Sequence, residues 1–427
     1  MIDQDVGERR QLGLRDLLRI REYRLLWAGQ LISEAGDGLT NLALLLLVNA
    51  LTGSTAALAA MAIVLAVPSL TIGLVAGAYV DRIDRRRIML ASDLLRAVFV
   101  LGFIAVGSAS TLWLLYILAF VQATIGTFFA PARGTVVPRI VPAEGLMAAN
   151  SLAQATRVIA GVIGAGLAGL IVGLAGQFWP AFVLDSLSFA LSFLLILRLP
   201  ASIGRIRFEP HAAGESVRHA MVVGLRTIAR SRTMTTTIAV LAVVMLGLGA
   251  INVLFVPFVV VVLDAGTAWF GPLELAQSVS MILAAAMVAA LARRFRQTSI
   301  VTVGVAAIAI CIALMGITTQ IRQLLLLLFA MGWFVSPIQA AVVTMLQQQT
   351  PDAERGRVMA VLQAAMSATS VLSMGFAGIA ADAIGIREVF YVAGTIMAGG
   401  AVVALLGYRG RTAGAEATPA AAQPVPE

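Results

Sequence analysis

The chain alternates long apolar runs with short charged interruptions, and the runs share a common length. Twelve of them lie at about 23–50, 56–80, 88–107, 111–132, 147–175, 178–198, 234–262, 268–292, 299–319, 323–347, 357–383 and 387–408. Each reaches the roughly 20 residues that an α-helix needs to cross a bilayer core. The pattern predicts an all-α membrane protein with twelve transmembrane helices. The longest polar interruption, 199–233, divides the runs six and six. Within it Val217, Met221, Leu225 and Ile228 share one helical face, with Arg218, Arg226 and Arg230 elsewhere around it. That spacing predicts an amphipathic helix at the cytoplasmic membrane surface.

The domain reading follows: an N-terminal cytoplasmic arm (1–22), a first six-helix bundle (23–198), a central cytoplasmic loop (199–233), a second bundle (234–408) and a tail (409–427). The tail is rich in Ala, Pro and Gly and is expected to be disordered. The first 22 residues are too charged for a signal peptide and the run after them is too long, so span 1 is expected to remain as an anchor.

Composition strengthens the membrane reading. Apolar residues make up 60% of the 427, charged residues only 12%, and the mean hydropathy is +0.94. Soluble domains run about half apolar and about a quarter charged. All thirty basic residues are arginine, and the net charge of +8 points away from nucleic acid once its placement is seen. With the N-terminus inside, the outer loops hold only Arg322 and Arg387; Arg133 and Arg139 are read as part of the inner loop after span 4. Both termini are therefore expected in the cytoplasm of a bacterial cell membrane. Cys311 is the single cysteine, so neither a disulfide framework nor a metal-ligand pair is available, and no cofactor or metal is expected. No His-Glu-x-x-His, Gly-x-Ser-x-Gly or Walker glycine loop occurs, which argues against an enzyme and against direct use of ATP.

An ionisable residue within a span is costly and must face the bundle interior or water. Span 1 carries Gln30, Glu34, Asp37 and Asn41, spaced four, three and four, which puts them on one helical stripe. At 1.5 Å per residue Asp37 lies about 20 Å beyond Arg24, near the midplane. Burial disfavours the charged form of a carboxyl group unless a cation compensates. Glu34 and Asp37 are thus candidates for proton coupling; the alternative is that Asp37 with Gly36 and Gly38 fixes helix packing. Span 5 repeats the spacing with Gln154 and Arg157. Arg157 is read as a cation for Asp37 or Glu34, as an anchor for an anionic substrate, or as a residue snorkelling to the surface. Asn252, Phe255, Gln339 and Gln363, with Gln30, Asn41 and Gln154, are candidates to line a substrate cavity. Glu274 opens span 8 and is read as a solvated rim residue.

Between spans 2 and 3 lies the most charged knot of the chain, Gly77-Ala78-Tyr79-Val80-Asp81-Arg82-Ile83-Asp84-Arg85-Arg86-Arg87. It resembles the loop between the second and third helices of the major facilitator superfamily, roughly Gly-x-x-x-Asp-Arg-x-Gly-Arg-Arg. Gly77, Asp81, Arg82, Arg85 and Arg86 match, and Asp84 stands where glycine is usual. Ser33–Gly38, Ser92–Arg96, Pro131–Arg133 with Ala149–Leu152, and Glu354–Val358 are similar to the drug- and siderophore-efflux branch.

The resemblance implies two pseudo-symmetric six-helix bundles working by alternating access. It also implies a cytoplasmic gate in which Asp81 docks on the start of span 11, around Arg357–Leu362, with Arg82, Arg85 and Arg86 contacting acidic partners or lipid. The family's span-4 arginine is missing, Ala119 standing near its place. Arg96, with Asp93, is read either as its substitute in the gate or as an intrahelical pair. The efflux motif Gly-Pro-x-x-Gly-Gly in span 5 is altered, with Val162 for the proline and Ala165 for one glycine. The leading expectation is a proton-driven exporter of lipophilic drug-like compounds or a siderophore, acting as a monomer on a small-molecule substrate. The alternative is proton-coupled uptake of an anionic metabolite held by Arg157.

Overall fold

A computed structural model describes residues 12–80, 83–204, 217–350 and 354–408. A short helix, α1 (Leu14–Arg19), precedes the first long one, α2 (Arg21–Thr52). The first bundle continues with α3 (Thr55–Thr71), α4 (Gly73–Val80), α5 (Arg85–Leu101), α6 (Leu112–Ile140), α7 (Leu146–Ala175) and α8 (Trp179–Leu197). The linker helix α9 (Val217–Arg230) leads to α10 (Arg232–Pro257), α11 (Phe270–Arg294), α12 (Gln297–Met315), α13 (Ile321–Gln349), α14 (Arg355–Ile384) and α15 (Ile386–Tyr408). Among the described residues 11 helices are long and apolar enough to cross a membrane; the twelfth span is split at Ile72 into α3 and α4.

Local chemistry sets the breaks. Gly53 ends α2 in the left-handed region at φ 60°, a conformation that costs glycine little. Ser54 then caps α3, accepting from the Ala57 amide at 3.3 Å. Asp84, the departure from the usual glycine, caps α5 by accepting from the Arg87 amide at 3.1 Å. Span 4 overruns its predicted end: α6 continues through Pro131 and Pro138 to Ile140, so Arg133 and Arg139 belong to the helix rather than to a loop. Arg133 is paired inside the bundle with the partner described below.

In the first bundle α2 packs on α7 and α8, α5 on α6 and α8, and α3 on α6; in the second α10 packs on α14 and α15, α12 on α13 and α15, and α11 on α13. Two seams join them, α3 against α14 and α7 against α11. Both are tight at the end remote from the linker. There the Asp382 carboxylate of α14 accepts from Ser54 Oγ (2.9 Å), from Thr55 N (2.9 Å) and Oγ1 (2.7 Å), and from Ala56 N (3.1 Å) at the start of α3. In the other seam Thr267 Oγ1 donates to the Gly169 carbonyl at 2.8 Å, and Gly166 meets Gly271 backbone to backbone. Small residues permit that approach. At the linker end Gly134 and Gly356 face open space.

The linker segment contains the helix α9, and part of its surface packs on the start of α14. Ile228 and Thr227 are buried, Thr227 Oγ1 donates to Glu354 Oε2, and Gly224 lies against Arg357 and Val361 at the start of α14. Met221 and Leu225 remain exposed.

Candidate functional site

The polar stripe of α2 meets three helices, and each supplies its partner residues. From α6, Arg133 Nη1 bonds Glu34 Oε1 at 3.3 Å, and Gln30 turns its amide oxygen to the same guanidinium, 3.0 Å from Nε. From α5, Arg96 forms an ion pair with Asp37 and lies over the Phe189 ring, 4.1 Å from its centroid. From α8, Asp185 accepts from Thr40 Oγ1 at 2.6 Å and from Ser188 Oγ at 3.1 Å. Gly36 makes the last contact possible, because a Cβ there would collide with the Asp185 carboxylate and the Ser188 hydroxyl. On α7 it is Gly164 that permits the approach, because a Cβ there would collide with the Ala35 carbonyl and the Leu39 amide, whereas one at Gly38 would make only ordinary contacts. Gly36 therefore serves packing, and Asp37 beside it lines a cavity.

Asp93 on α5 completes the cluster. Both Asp93 and Asp185 are 0% exposed, and Asp93 lies beside Ser192. Three carboxylates, those of Asp37, Asp93 and Asp185, thus share one guanidinium, that of Arg96. Removing an ion from water costs several kcal/mol unless a partner offsets it, so this group cannot carry its full negative charge cheaply. It borders a cavity of about 650 Å³ walled by Asp37, Thr40, Asn41, Arg96 and Gln122 among others. Asn41 is exposed to that space. A smaller cavity of about 140 Å³ holds Gln30, Glu34, Arg133 and Arg157 together.

Several predicted positions need correction. Arg157 is exposed, lines the smaller cavity, and forms no ion pair with Asp37 or Glu34 among the described residues. Arg96 and Arg133 already occupy those carboxylates. Arg96 and Asp93, read together as gate substitute or intrahelical pair, sit in the interior beside Asp37, and the ion pair that Arg96 makes is with Asp37. Gln154, Gln339 and Gln363 are exposed and border none of the cavities described here; Gln363 Nε2 donates to Ser367 at 3.4 Å. Of the predicted gate, Asp81, Arg82 and the surroundings of Gly77 fall outside the described residues. Arg85 is buried at the start of α5, and Arg86 donates to the Leu197 carbonyl at 2.7 Å, at the end of α8. The start of α14, where Asp81 was expected to dock, carries α9.

A second cavity, about 330 Å³, lies between the bundles toward the far end. Asn252 and Phe255 line it, with Leu45 of α2 and Gln277 of α11. Glu274 lines it too, and is half-buried rather than a solvated rim residue. Sequence reading also missed Arg133, hidden among residues that break helices, and Asp185, whose signal was its isolation within an apolar run.

Comparison with known proteins agrees with this architecture. The family described as transmembrane secretion effector matches residues 16–427. An uncharacterized MFS-type transporter, YfiS of Bacillus subtilis, is 27% identical over 418 residues, 93% of this chain and 94% of that one. Macrolide efflux protein A of Streptococcus pyogenes is 23% identical over 385 residues, covering 88% of this chain and 93% of the other. The multidrug efflux pump Tap of Mycolicibacterium fortuitum is 28% identical over 379 residues, covering 84% and 89%. Among solved structures, a mutant of the nucleoside transporter NupG superposes with TM-score 0.74 at 12% identity, over 91% of this chain and all 100% of the other. A bacterial homologue of the iron transporter ferroportin gives 0.71 at 14% identity, over 92% and 99%. The chain belongs to the transmembrane secretion effector family of the major facilitator superfamily; it is a multi-pass membrane transporter and not an enzyme.

Proposed function

We propose that this transporter is a proton-coupled antiporter that exports lipophilic, drug-like compounds by alternating access. In this reading it sits in the bacterial cytoplasmic membrane with both termini inside and works as a monomer. The observation that carries the coupling is the Asp37–Arg96 pair, facing a cavity with two further carboxylates behind it. A proton arriving on Asp37 cancels its attraction for Arg96 and frees the guanidinium for Asp93 or Asp185. The cation changes partners without leaving the cluster, so one proton shifts α5 against α2 at little net electrostatic cost. Such a rearrangement at the wall of the first bundle is a two-state element that proton and substrate can both bias. Export is supported by the relatives named as macrolide and multidrug efflux proteins. It is also supported by the apolar character of the second cavity, which suits amphiphiles better than sugars.

The test is substrate-dependent proton movement in proteoliposomes, with macrolides and lipophilic dyes as the compounds. Native protein is expected to couple the two flows, and Asp37→Asn to bind compound while losing gradient-driven transport. Full coupling in Asp37→Asn would remove Asp37 from the mechanism. Absence of proton movement with every transported compound would end the antiport reading.

A further inference from the structure

The charged groups described inside the first bundle are mostly answered by a neighbour, whereas Glu274 in the second bundle is not. Glu34 has Arg133, Asp37 has Arg96, and Asp185 has two hydroxyls. Asp93 lies beside Ser192 and within reach of the Arg96 charge, and it is sealed away from every cavity described here. Glu274 differs on both counts. It is half-buried one turn into α11, forms no ion pair or hydrogen bond among the described residues, and lines a cavity of about 330 Å³.

The rest of that cavity defines what would satisfy such a group. Its polar neighbours are the neutral amides of Asn252 and Gln277, and the remaining wall is Leu, Ile, Val, Met and Phe. Phe255 is held edge-on to Phe270 at 5.6 Å between centroids, which fixes its ring as part of the wall. An anion would be repelled by the carboxylate, and a sugar would find too few hydrogen-bond partners. A lipophilic monocation fits: its charge offsets the cost of a lone carboxylate in a low-dielectric site, its apolar body covers the wall, and an aromatic face attracts it further. The volume lies at the lower end of the range for small-molecule pockets.

We propose that Glu274 is a substrate-binding residue that selects lipophilic monocations, at a site separate from the Asp37 cluster. The inference rests on the reading of the chain as an exporter of lipophilic compounds and assigns that substrate's charge. The separation is built into α2. Leu44 borders the Asp37 cavity and Leu45, one position on, borders the Glu274 cavity, so one helix divides the two. A proton on Asp37 and a cation at Glu274 therefore do not contend for the same oxygen atoms. The two sites communicate through displacement of their shared wall.

The experiment measures binding of tetraphenylphosphonium and of its neutral analogue triphenylphosphine oxide to the full-length protein in nanodiscs. Native protein is expected to bind the cation saturably. Glu274→Gln is expected to weaken it at least about tenfold while leaving the neutral probe within about twofold, and Glu274→Asp to restore most of the cation affinity. No saturable cation binding by native protein overturns the proposal. So does equal cation affinity in Glu274→Gln, or equal loss of both probes. A measurement on native protein alone covers the case of a variant that does not fold: tetraphenylphosphonium should protect Glu274 from modification by dicyclohexylcarbodiimide, read by peptide mass spectrometry, and lack of protection overturns the site. Proton-driven movement of neutral compounds in proteoliposomes separates the two layers. If it persists while the Glu274 arms fail, the transport reading stands and only the cation site falls. If no compound moves in any arm, the exporter reading itself has failed.

Discussion

The two bundles share a helix plan and differ in how they treat charge. In the first, α2, α5, α6 and α8 turn Glu34, Asp37, Asp93, Arg96, Arg133 and Asp185 toward one another. In the second, the matching interior is apolar, and Glu274 is the carboxylate facing its cavity. A network of mutually compensating ions can change state by moving a proton within itself. A lone carboxylate can only be answered from outside. The comparison teaches that one architecture can hold an internal switch in one half and a receptive wall in the other.

Three substitutions press on that contrast, in order of expected effect. Arg96→Met removes the one cation that three carboxylates share, and breaking a buried pair costs about 3–5 kcal/mol. Its melting temperature in detergent should fall steeply, whereas Glu274→Gln should melt close to native. Equal losses would mean that the two halves treat charge alike. Gly36→Ala is next. Its Cβ meets the Asp185 and Ser188 oxygens, so α8 must retreat from α2, at about 1–3 kcal/mol for overpacking. Gly399→Ala in the second bundle, whose added Cβ meets nothing within 4 Å, is the matched control and should cost under about 0.5 kcal/mol. Asp382→Asn acts on the seam rather than on either interior. Asp382 is exposed and its four bonds are partly screened, so the seal should weaken by only about 1 kcal/mol. Spin-label distances across the far ends of α3 and α14 should then show a larger open fraction; an unchanged distribution would show that the glycine seam between α7 and α11 holds that end by itself.

Much of this fold was legible in the sequence because run length and arginine placement are properties of single segments. The site was legible only where its residues share a helix. Gln30, Glu34, Asp37 and Asn41 declare themselves as a stripe through their spacing, and the cavity they face exists. Their partners cannot be found that way, since Arg96 reaches Asp37 across 59 positions and Arg133 reaches Glu34 across 99. Arg157 was the obvious cation because it stands inside an apolar run, while Arg96 was read with its near neighbour Asp93 and Arg133 was read as part of a loop. The depth of Arg133 depends on α6 extending past Pro131. Asp185 was overlooked for the opposite reason. A single carboxylate among Phe182, Leu184 and Leu187 has no local pattern, and its hydroxyl partner Thr40 lies on another helix.

The clamp at Asp382 bears on how such a transporter tolerates inherited change. Two of its four donors are main-chain amides, those of Thr55 and Ala56, which every residue but proline supplies. Drift at those positions leaves much of the lock intact, and its strength is concentrated in a single codon on α14. A lineage could retune how long the transporter dwells in this state by altering that codon alone, leaving the residues that line its cavities untouched.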